Sequence, residues 1–232
     1  MRRTTVLAAA ATTAVLALLT GCRGDDAPAG DAAAFDPAEA VAKAGQEPYA
    51  VTVDVVRAPD GDAEPVVLTA RQNLNTLFTG RWQGKEADGT LRESVTTADA
   101  EYLRGHDATG TWLKTPRSAE VSDFDYNEYA RLLLAQGPSA RKGMETRDGV
   151  PTYHLAGHLE AAQFADAAPS VHRALTRSGI TSLDLDQWID AQGRTRHVDE
   201  RVVADGEKVA ITLAFSDFGP AETFAAPSPV AD

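Results

Sequence analysis

Apolar and polar side chains alternate with a period of two residues over much of the chain. The stretch 49–56 reads Tyr-Ala-Val-Thr-Val-Asp-Val-Val, and this period is typical of a β-strand with one buried face. Asp-Gly pairs at 88–89, 148–149 and 205–206 favour tight hairpin turns between such runs. The pattern predicts strands at 49–56, 66–75, 77–86, 91–97, 100–104, 111–114, 144–159 (with a turn at 148–149), 183–189, 194–203 and 208–216.

Three stretches have helical spacing instead. Asp36 precedes Pro37, and Glu39 follows three residues after Asp36, which is typical of an N-cap and first turn. Gly45 would end this helix. A second helix is predicted over 122–136, capped by Ser122 or Asp123, and a third over 161–177, which Pro169 would kink or split.

The predicted strands share one apolar face. In the last of them Val209, Ile211, Leu213 and Phe215 alternate with small or polar residues, so the side chains on one face are continuously apolar. A sheet with one apolar face must be covered by another layer. The sequence therefore predicts an α+β fold in which helices cover an antiparallel meander.

The first 22 residues have a different pattern. Arg2 and Arg3 precede an apolar run at 6–19, broken only by two threonines, and the run ends in Leu19, Thr20, Gly21 and Cys22. This layout is typical of a secretory signal peptide, whereas a membrane-spanning helix requires about 20 apolar residues. The last four residues resemble the lipobox of bacterial lipoproteins, in which the cysteine is acylated and becomes the new N-terminus.

The lipobox resemblance implies a domain organisation. It implies a signal peptide at 1–21, lipid attachment at Cys22, and a mature protein anchored in the cell membrane on its extracytoplasmic face. Residues 23–34 are mainly Gly, Asp, Ala and Pro, a composition typical of a flexible linker. We therefore expect a tether at 22–34, a single domain at 35–226 and a disordered tail at 227–232.

The composition of the chain argues against several classes of function. The formal net charge is -12, which argues against a nucleic-acid partner and against adhesion to anionic headgroups. Cys22 is the only cysteine, so once it is acylated no thiol remains for a disulfide, a zinc-thiolate site or a nucleophile. Membrane attachment would then depend on the lipid.

The histidines and carboxylates do not indicate catalysis. His154 and His158 lie in a predicted strand, where a four-residue step separates them by about 13 Å, too far to share one metal ion. His106, His172 and His197 have no near partners, and we expect each to be exposed or to have a single partner. Asp123 and Asp125 are expected to favour a helix N-terminus, and Asp184, Asp186 and Asp190 to lie on the solvent side of a strand. No hydrolase, phosphate-binding, dinucleotide or zinc signature is present, so we expect neither enzyme activity, nor a metal, nor a cofactor.

Two segments near the C-terminus resemble a known family. Residues 188–194 read Trp-Ile-Asp-Ala-Gln-Gly-Arg and residues 215–219 read Phe-Ser-Asp-Phe-Gly. With the lipobox, the tether and the order of predicted elements, they resemble LppX/LprG-type actinobacterial lipoproteins, which are similar in fold to the LolA and LolB carriers. The resemblance implies a strongly bent antiparallel sheet, an incomplete β-barrel, with helices covering its open side.

The same resemblance implies an apolar cavity for acyl chains. The residues expected to line it are Phe78, Trp82, Leu113, Leu132, Leu133, Phe164 and Leu213. Packing by Leu132, Leu133, Leu134 and Phe164 would equally close the space, because cavities and cores use the same residue types. Trp82, Trp112 and Trp188 would either line the cavity or pack as ordinary core residues.

Two functions follow from these expectations. In the first, the protein binds a lipid or lipid-linked glycan in the cavity and carries it within the cell envelope without covalent chemistry. In the second, it is an envelope sensor or regulatory lipoprotein that binds a protein partner on the same scaffold. An internal cavity would favour the first function, and a filled core with a large exposed apolar patch would favour the second.

Overall fold

The computed structural model describes residues 34–44, 47–59, 64–85, 89–105, 110–117, 125–204 and 206–230. The signal peptide, Cys22, all of the tether before Ala34, His106, Ser122 and Asp123 lie outside these residues. No helix within these ranges is both long and apolar enough to cross a bilayer.

Eleven strands of the described residues form one antiparallel sheet. They run in the order β6-β5-β4-β3-β2-β1-β11-β10-β9-β8-β7, so two meanders are joined where β1 pairs with β11. In the described ranges β6 and β7 are the two ends and do not pair with each other, so the sheet is not closed into a barrel. The strands are β1 (Tyr49–Pro59), β2 (Val66–Leu74), β3 (Gly80–Lys85), β4 (Leu91–Thr96), β5 (Ala100–Gly105), β6 (Leu113–Pro116), β7 (Arg141–Arg147), β8 (Val150–Glu160), β9 (Ser182–Ile189), β10 (Thr195–Ala204) and β11 (Glu207–Pro220).

The helices connect and cover the strands. They are α1 (Pro37–Ala44), α2 (Asn127–Ala135), α3 (Phe164–Ala167) and α4 (Pro169–Arg177). Asp36 Oδ1 accepts hydrogen bonds from the backbone N–H groups of Ala38 (2.7 Å) and Glu39 (3.3 Å), which confirms the predicted N-cap of α1. Pro169 separates α3 from α4, which confirms the predicted split.

The sheet has an inner face and an outer face. The inner face is the one against which the helices pack, and it carries the buried residues Val53, Val198, Leu185 and Leu155, among others. The alternation predicted for β11 is confirmed, because Val209, Leu213 and Phe215 all belong to this core and Ile211 packs against it. The fold is therefore the predicted α+β arrangement with an open sheet.

The turn between β9 and β10 holds α1 against the sheet. Asp190 accepts hydrogen bonds from the backbone N–H groups of Gln192 and Arg194 (both 3.0 Å) and from Arg194 Nε (2.9 Å). Gly193 has a φ of +75°, and a Cβ placed there would lie 2.1 Å from the carbonyl oxygen of Ala40. Only a residue without a side chain fits between this turn and α1.

The structure corrects the placement of Asp190. It was expected on the solvent side of a strand, but only 2% of it is exposed, and it lies after β9 rather than in it. Its carboxylate satisfies the backbone of a tight turn, a role that depends on the turn geometry and not on strand alternation.

The last described residues, 221–230, lie along the sheet, whereas 231–232, the end of the predicted tail, lie outside the described residues. Residues 221–230 follow the outer face back towards β6, where the N–H of Trp112 donates to the carbonyl of Pro229 (3.0 Å). Trp112 and Val230 form an isolated bridge beside a small core of Ala100, Tyr102 and Trp112. Backbone pairing and this apolar contact order the segment up to Val230.

We predict that Gly193→Ala destabilises the protein much more than Gly206→Ala. Both glycines have positive φ, which costs an alanine roughly 1–2 kcal/mol. A Cβ at Gly206 meets nothing within 4 Å, whereas at Gly193 the α1 backbone must also shift, at a further cost of about 1–3 kcal/mol. Urea denaturation of both variants measures the difference, and equal losses would show that the contact with α1 is unimportant.

Candidate ligand-binding site

The inner face of β1, β2, β3 and β11 carries neighbouring apolar side chains that are only half-buried. Val55 of β1 is paired with Leu68 of β2. Trp82 of β3 is paired with Ala70, which lies two residues after Leu68 on the same face of β2. The partner of Val55 on β11 is Leu213, and Ile211 lies two residues before Leu213 on the same face. We call Val55, Leu68, Trp82 and Ile211 the inner patch; all four pack against the core yet remain partly exposed.

Helices close the other half of the inner face. Leu133 of α2 and Phe164 of α3 are completely buried. At Gly157 of β8, a Cβ would lie 2.3 Å from Gln136 Oε1 and 3.1 Å from Leu133 Cδ2, so the end of α2 packs directly on the strand. Coverage by helices is therefore tight over β8 and weaker over the inner patch.

A row of aromatic rings connects these two regions. Phe164 meets Tyr129 edge to face with ring centroids 5.5 Å apart, Tyr129 meets Tyr126 at 6.3 Å, and Tyr126 meets Phe215 of β11 at 4.7 Å. Edge-to-face pairs in this range are favourable beyond their buried area. The row fixes α2 across the inner face and positions two tyrosine hydroxyls there.

Glu200 is a carboxyl group on this apolar face. It lies between Val198 and Val202 on β10, and its cross-strand partners are Ile211 and Leu185. Burial raises its pKa to about 7, although the hydroxyl of Tyr129 donates a hydrogen bond that acts in the opposite direction. Burial likewise raises the pKa of Tyr126 and Tyr129.

The residues predicted to line a cavity divide into three groups. Leu133, Phe164 and Leu213 belong to the main core, and Leu132 and Trp82 are half-buried against it. Phe78 is half-buried in the loop before β3. Leu113 is 57% exposed on the inner face of β6, opposite Leu103. Their role in ligand binding stays a prediction, and Trp82 is the predicted residue that lies in the inner patch.

The other two tryptophans pack on the outer face. Trp112 is buried under the guanidinium of Arg104, 4.6 Å from the ring. Trp188 lies 4.3 Å from the stacked ring of His154 and 3.9 Å from the guanidinium of Arg147, and its Nε1–H donates to Glu145 (2.9 Å). Both tryptophans therefore take the packing role that was one of the two expectations.

His154 and His158 of the outer face are hydrogen-bonded to carboxylates. His154 contacts Glu145 (2.9 Å) and Asp186 (2.8 Å), and His158 contacts Asp184 (2.8 Å). The hydrogen bond to Asp184 raises the pKa of His158. No group of three or more possible metal ligands occurs in the described ranges.

The expectation for His197 needs correction. It is buried and has several partners, namely Asp199 (2.9 Å), Arg147 (2.7 Å) and the edge of the Trp188 ring (5.3 Å). Burial lowers its pKa. Asp199 lies two residues away on β10, whereas Arg147 and Trp188 come from β7 and β9 and are distant in the sequence.

A groove of about 580 Å³ crosses the outer face of β8 to β11 and β1. Small side chains, Ala58 and Ala210, form part of its floor. Arg201 and His158, which line it, are engaged with Asp186 and Asp184 respectively. We therefore place the candidate site on the inner face, where apolar groups are exposed and a buried carboxyl has few polar partners.

Sequence reasoning missed most residues of this site. Val55, Leu68, Ile211 and Glu200 were not among the predicted site residues. A signal for Glu200 was present, because the alternation Val198, Glu200, Val202 places a charged residue at an inward position.

The chain is similar to solved structures, and at a TM-score of 0.50 the likeness to one of them extends to the fold. LprF from Mycobacterium bovis matches with a TM-score of 0.50 and 15% identity over 84% of this chain and 100% of that chain. LppX from Mycobacterium tuberculosis matches with a TM-score of 0.45 and 14% identity, covering 84% and 95% of the two chains. A LolA superfamily protein from Nitrosomonas europaea matches with a TM-score of 0.31 and 11% identity, covering 82% and 95%.

No family model matches the chain, and no curated protein matches it. At 15% identity the likeness to LprF concerns the fold. It confirms, for the fold, the resemblance to LppX/LprG-type proteins predicted from the sequence.

We predict that Glu200→Gln stabilises the protein at alkaline pH and not at acidic pH. Because the folded pKa is raised from 4.5 to about 7, the folded state holds the proton more tightly than the unfolded state. The free energy of unfolding of the native protein therefore falls as pH rises through this window, by about 3 kcal/mol in total. Glutamine has no such ionisation.

The measurement is urea denaturation of both proteins between pH 4.5 and 8.5. The stability difference between Glu200→Gln and the native protein should grow with pH and level off above pH 7. A difference that is constant over the range would contradict the raised pKa.

Proposed function

We propose that the protein is a lipid-anchored carrier that binds the acyl part of a lipid or lipid-linked glycan on the inner patch and moves it within the cell envelope. The observation that carries the proposal is the inner patch itself. Neighbouring apolar side chains exposed to water cost free energy of about 25 cal/mol per Å², and an acyl chain lying on them would recover it. The fold shared with LprF provides an open sheet on which such a patch can exist.

Two exposed leucines lie further along the inner face, beyond the buried polar residue Ser94. One row of cross-strand pairs leads from Ala70 and Trp82 through Ser94 to Leu103 and Leu113. Leu103 and Leu113 are both exposed. A lipid bound on the inner patch would therefore have further apolar surface towards the β6 end of the sheet.

Binding and release need no covalent step in this proposal. On the outer face His154 is hydrogen-bonded to Glu145 and Asp186. His158 and Asp184 both line the outer groove, where they are hydrogen-bonded to each other. We therefore propose a non-enzymatic protein whose ligand is held by apolar contact.

The anchor is proposed from the N-terminal sequence. Acylated Cys22 would contribute two acyl chains, enough for stable attachment, and residues 23–34 would give the domain reach from the bilayer. Attachment to the extracytoplasmic face would keep the inner patch close to a source of lipid.

We predict that Leu68→Trp reduces co-purifying lipid and that Val67→Trp does not. The two residues are neighbours on β2, but Leu68 lies in the inner patch whereas Val67 is 45% exposed on the outer face. An indole at Leu68 would occupy the space proposed for an acyl chain. The mature chain from residue 22, carrying Cys22→Ser, is purified from a lipid-containing host and examined by native mass spectrometry and organic extraction.

Lipid bound to the native chain and to Val67→Trp, with at least a several-fold loss in Leu68→Trp, is the expected result. Absence of lipid from all three proteins, together with no uptake of added lipid, would argue against a carrier. Equal loss in both variants would show that the patch is not the binding surface.

We predict that Cys22→Ser abolishes fatty-acid labelling of the chain. Cells expressing the full chain are grown with an alkyne-tagged fatty acid, and the purified protein is tested for the tag and for its intact mass. Thr20→Ser, a small residue for a small residue in the same tetrapeptide, is the control and should remain labelled. A labelled Cys22→Ser protein would mean that acylation takes place elsewhere, because the chain has no other cysteine.

A further inference from the structure

Glu200 is the acidic side chain beside the inner patch. Its strand neighbours on the same face, Val198 and Val202, are buried, and its cross-strand partner on β11 is Ile211 of the patch itself. The residue is nevertheless not fully buried by surface area. The carboxyl group therefore lies at the boundary between the packed core and the surface on which an acyl chain would lie.

Few polar groups face this carboxyl. From α2 it receives the hydroxyl of Tyr129, and Tyr126 lies close enough for its own pKa to be raised by Glu200. Tyr126 is in turn hydrogen-bonded to Gln72 of β2. From β9 and β11 the facing residues are Leu185 and Ile211, both apolar.

Cations do not balance the charge of Glu200 within the described residues. Its sequence neighbours Asp199 and Arg201 lie on the opposite face of β10, the outer face, where Arg201 forms an ion pair with Asp186. Arg57 is opposite Ile211 on β1, one strand further away, and is exposed. The causes of the shift in the pKa of Glu200 include no cationic group.

An ionised Glu200 therefore depends on water for its stability. A carboxylate has capacity for about four hydrogen bonds, and Tyr129 supplies one. An acyl chain on the inner patch would remove water from the carboxyl group and would donate no hydrogen bond to replace it. The charged form of Glu200 would therefore be strongly disfavoured. Protonation removes this penalty.

We propose that binding of an uncharged acyl chain on the inner patch is coupled to uptake of one proton by Glu200. The protein would hold its lipid when Glu200 is protonated and release it when Glu200 ionises. This inference rests on the proposed lipid-binding function and adds to it both a class of ligand, an uncharged hydrocarbon next to Glu200, and a means of release.

The direction of the effect follows from the two states. In the free protein the pKa of Glu200 is about 7, and a bound chain raises it further. Affinity is then independent of pH below 7 and falls above it, by at most about tenfold per pH unit. A ligand that placed an ammonium group beside Glu200 would show the opposite dependence, because it favours the carboxylate.

The test is the affinity of the mature chain, carrying Cys22→Ser, for the neutral fluorescent probe N-phenyl-1-naphthylamine between pH 5.5 and 8.5. The affinity of the native Glu200 protein should fall by up to about 30-fold over this range. Glu200→Gln should bind with the same affinity throughout. Glu207→Gln, which removes an exposed carboxyl at the start of β11, should keep the full pH dependence.

A second variant tests the contact with Tyr129. The hydrogen bond from Tyr129 lowers the pKa of Glu200, so Tyr129→Phe should move the midpoint of the affinity profile to higher pH. A merely structural role of Tyr129 would weaken binding at every pH without moving the midpoint.

The outcomes separate the coupling from the function. Probe binding that does not depend on pH, or that strengthens as pH rises, would overturn the coupling and leave the carrier proposal standing. A fall with pH that persists in Glu200→Gln would overturn the assignment to Glu200. Absence of probe binding at every pH would overturn the carrier proposal, and the coupling with it.

Discussion

An open sheet with one apolar face must be covered on that face, and the rest of this structure depends on how the covering is achieved. The two meanders leave β6 and β7 at opposite ends of the sheet, so the chain must return from one end to the other. It returns with α2, whose tyrosines and leucines pack on the inner face together with Phe164 of α3. Short helices cannot cover eleven strands, and the covering is therefore dense over β8 and incomplete over β1 to β3.

Because the covering is unequal, the contacts that stabilise the fold and the proposed binding surface lie on different parts of the inner face. The dense half contains the fully buried leucines, the aromatic row and the turn at Asp190 that holds α1, all of which stabilise the fold by burial and satisfied hydrogen bonds. The inner patch contributes less, because its side chains remain partly in contact with water. The proposed ligand would cover these side chains and so stabilise the folded state.

Glu200 adds to this balance. A carboxyl group among valines, leucines and isoleucine is unfavourable for the free protein at neutral pH, and a leucine at the same position would pack without that cost. In the structure its polar contact is a tyrosine from the covering helix rather than a cation. The same contact connects the ionisation of Glu200 to the position of α2, the element that limits access to the inner face.

The sequence by itself determined the strands, the turns between them, the cap of α1, the split at Pro169 and the apolar face of β11, because all of these depend on local periodicity and on the conformational preferences of a few residues. It also contained the inward position of Glu200 in the alternation of β10. Tertiary structure alone decided which side chains of the inner face are buried and which remain exposed to solvent. Leu155 of β8 and Leu68 of β2 are equally apolar in the sequence, but Leu155 is completely buried in the half of the sheet that the helices cover, whereas Leu68 stays half-exposed. The contacts of His197 with Arg147 and Trp188 were also decided by tertiary structure, because strand pairing brings these residues together. The turn role of Asp190 likewise depends on how the chain closes the turn after β9.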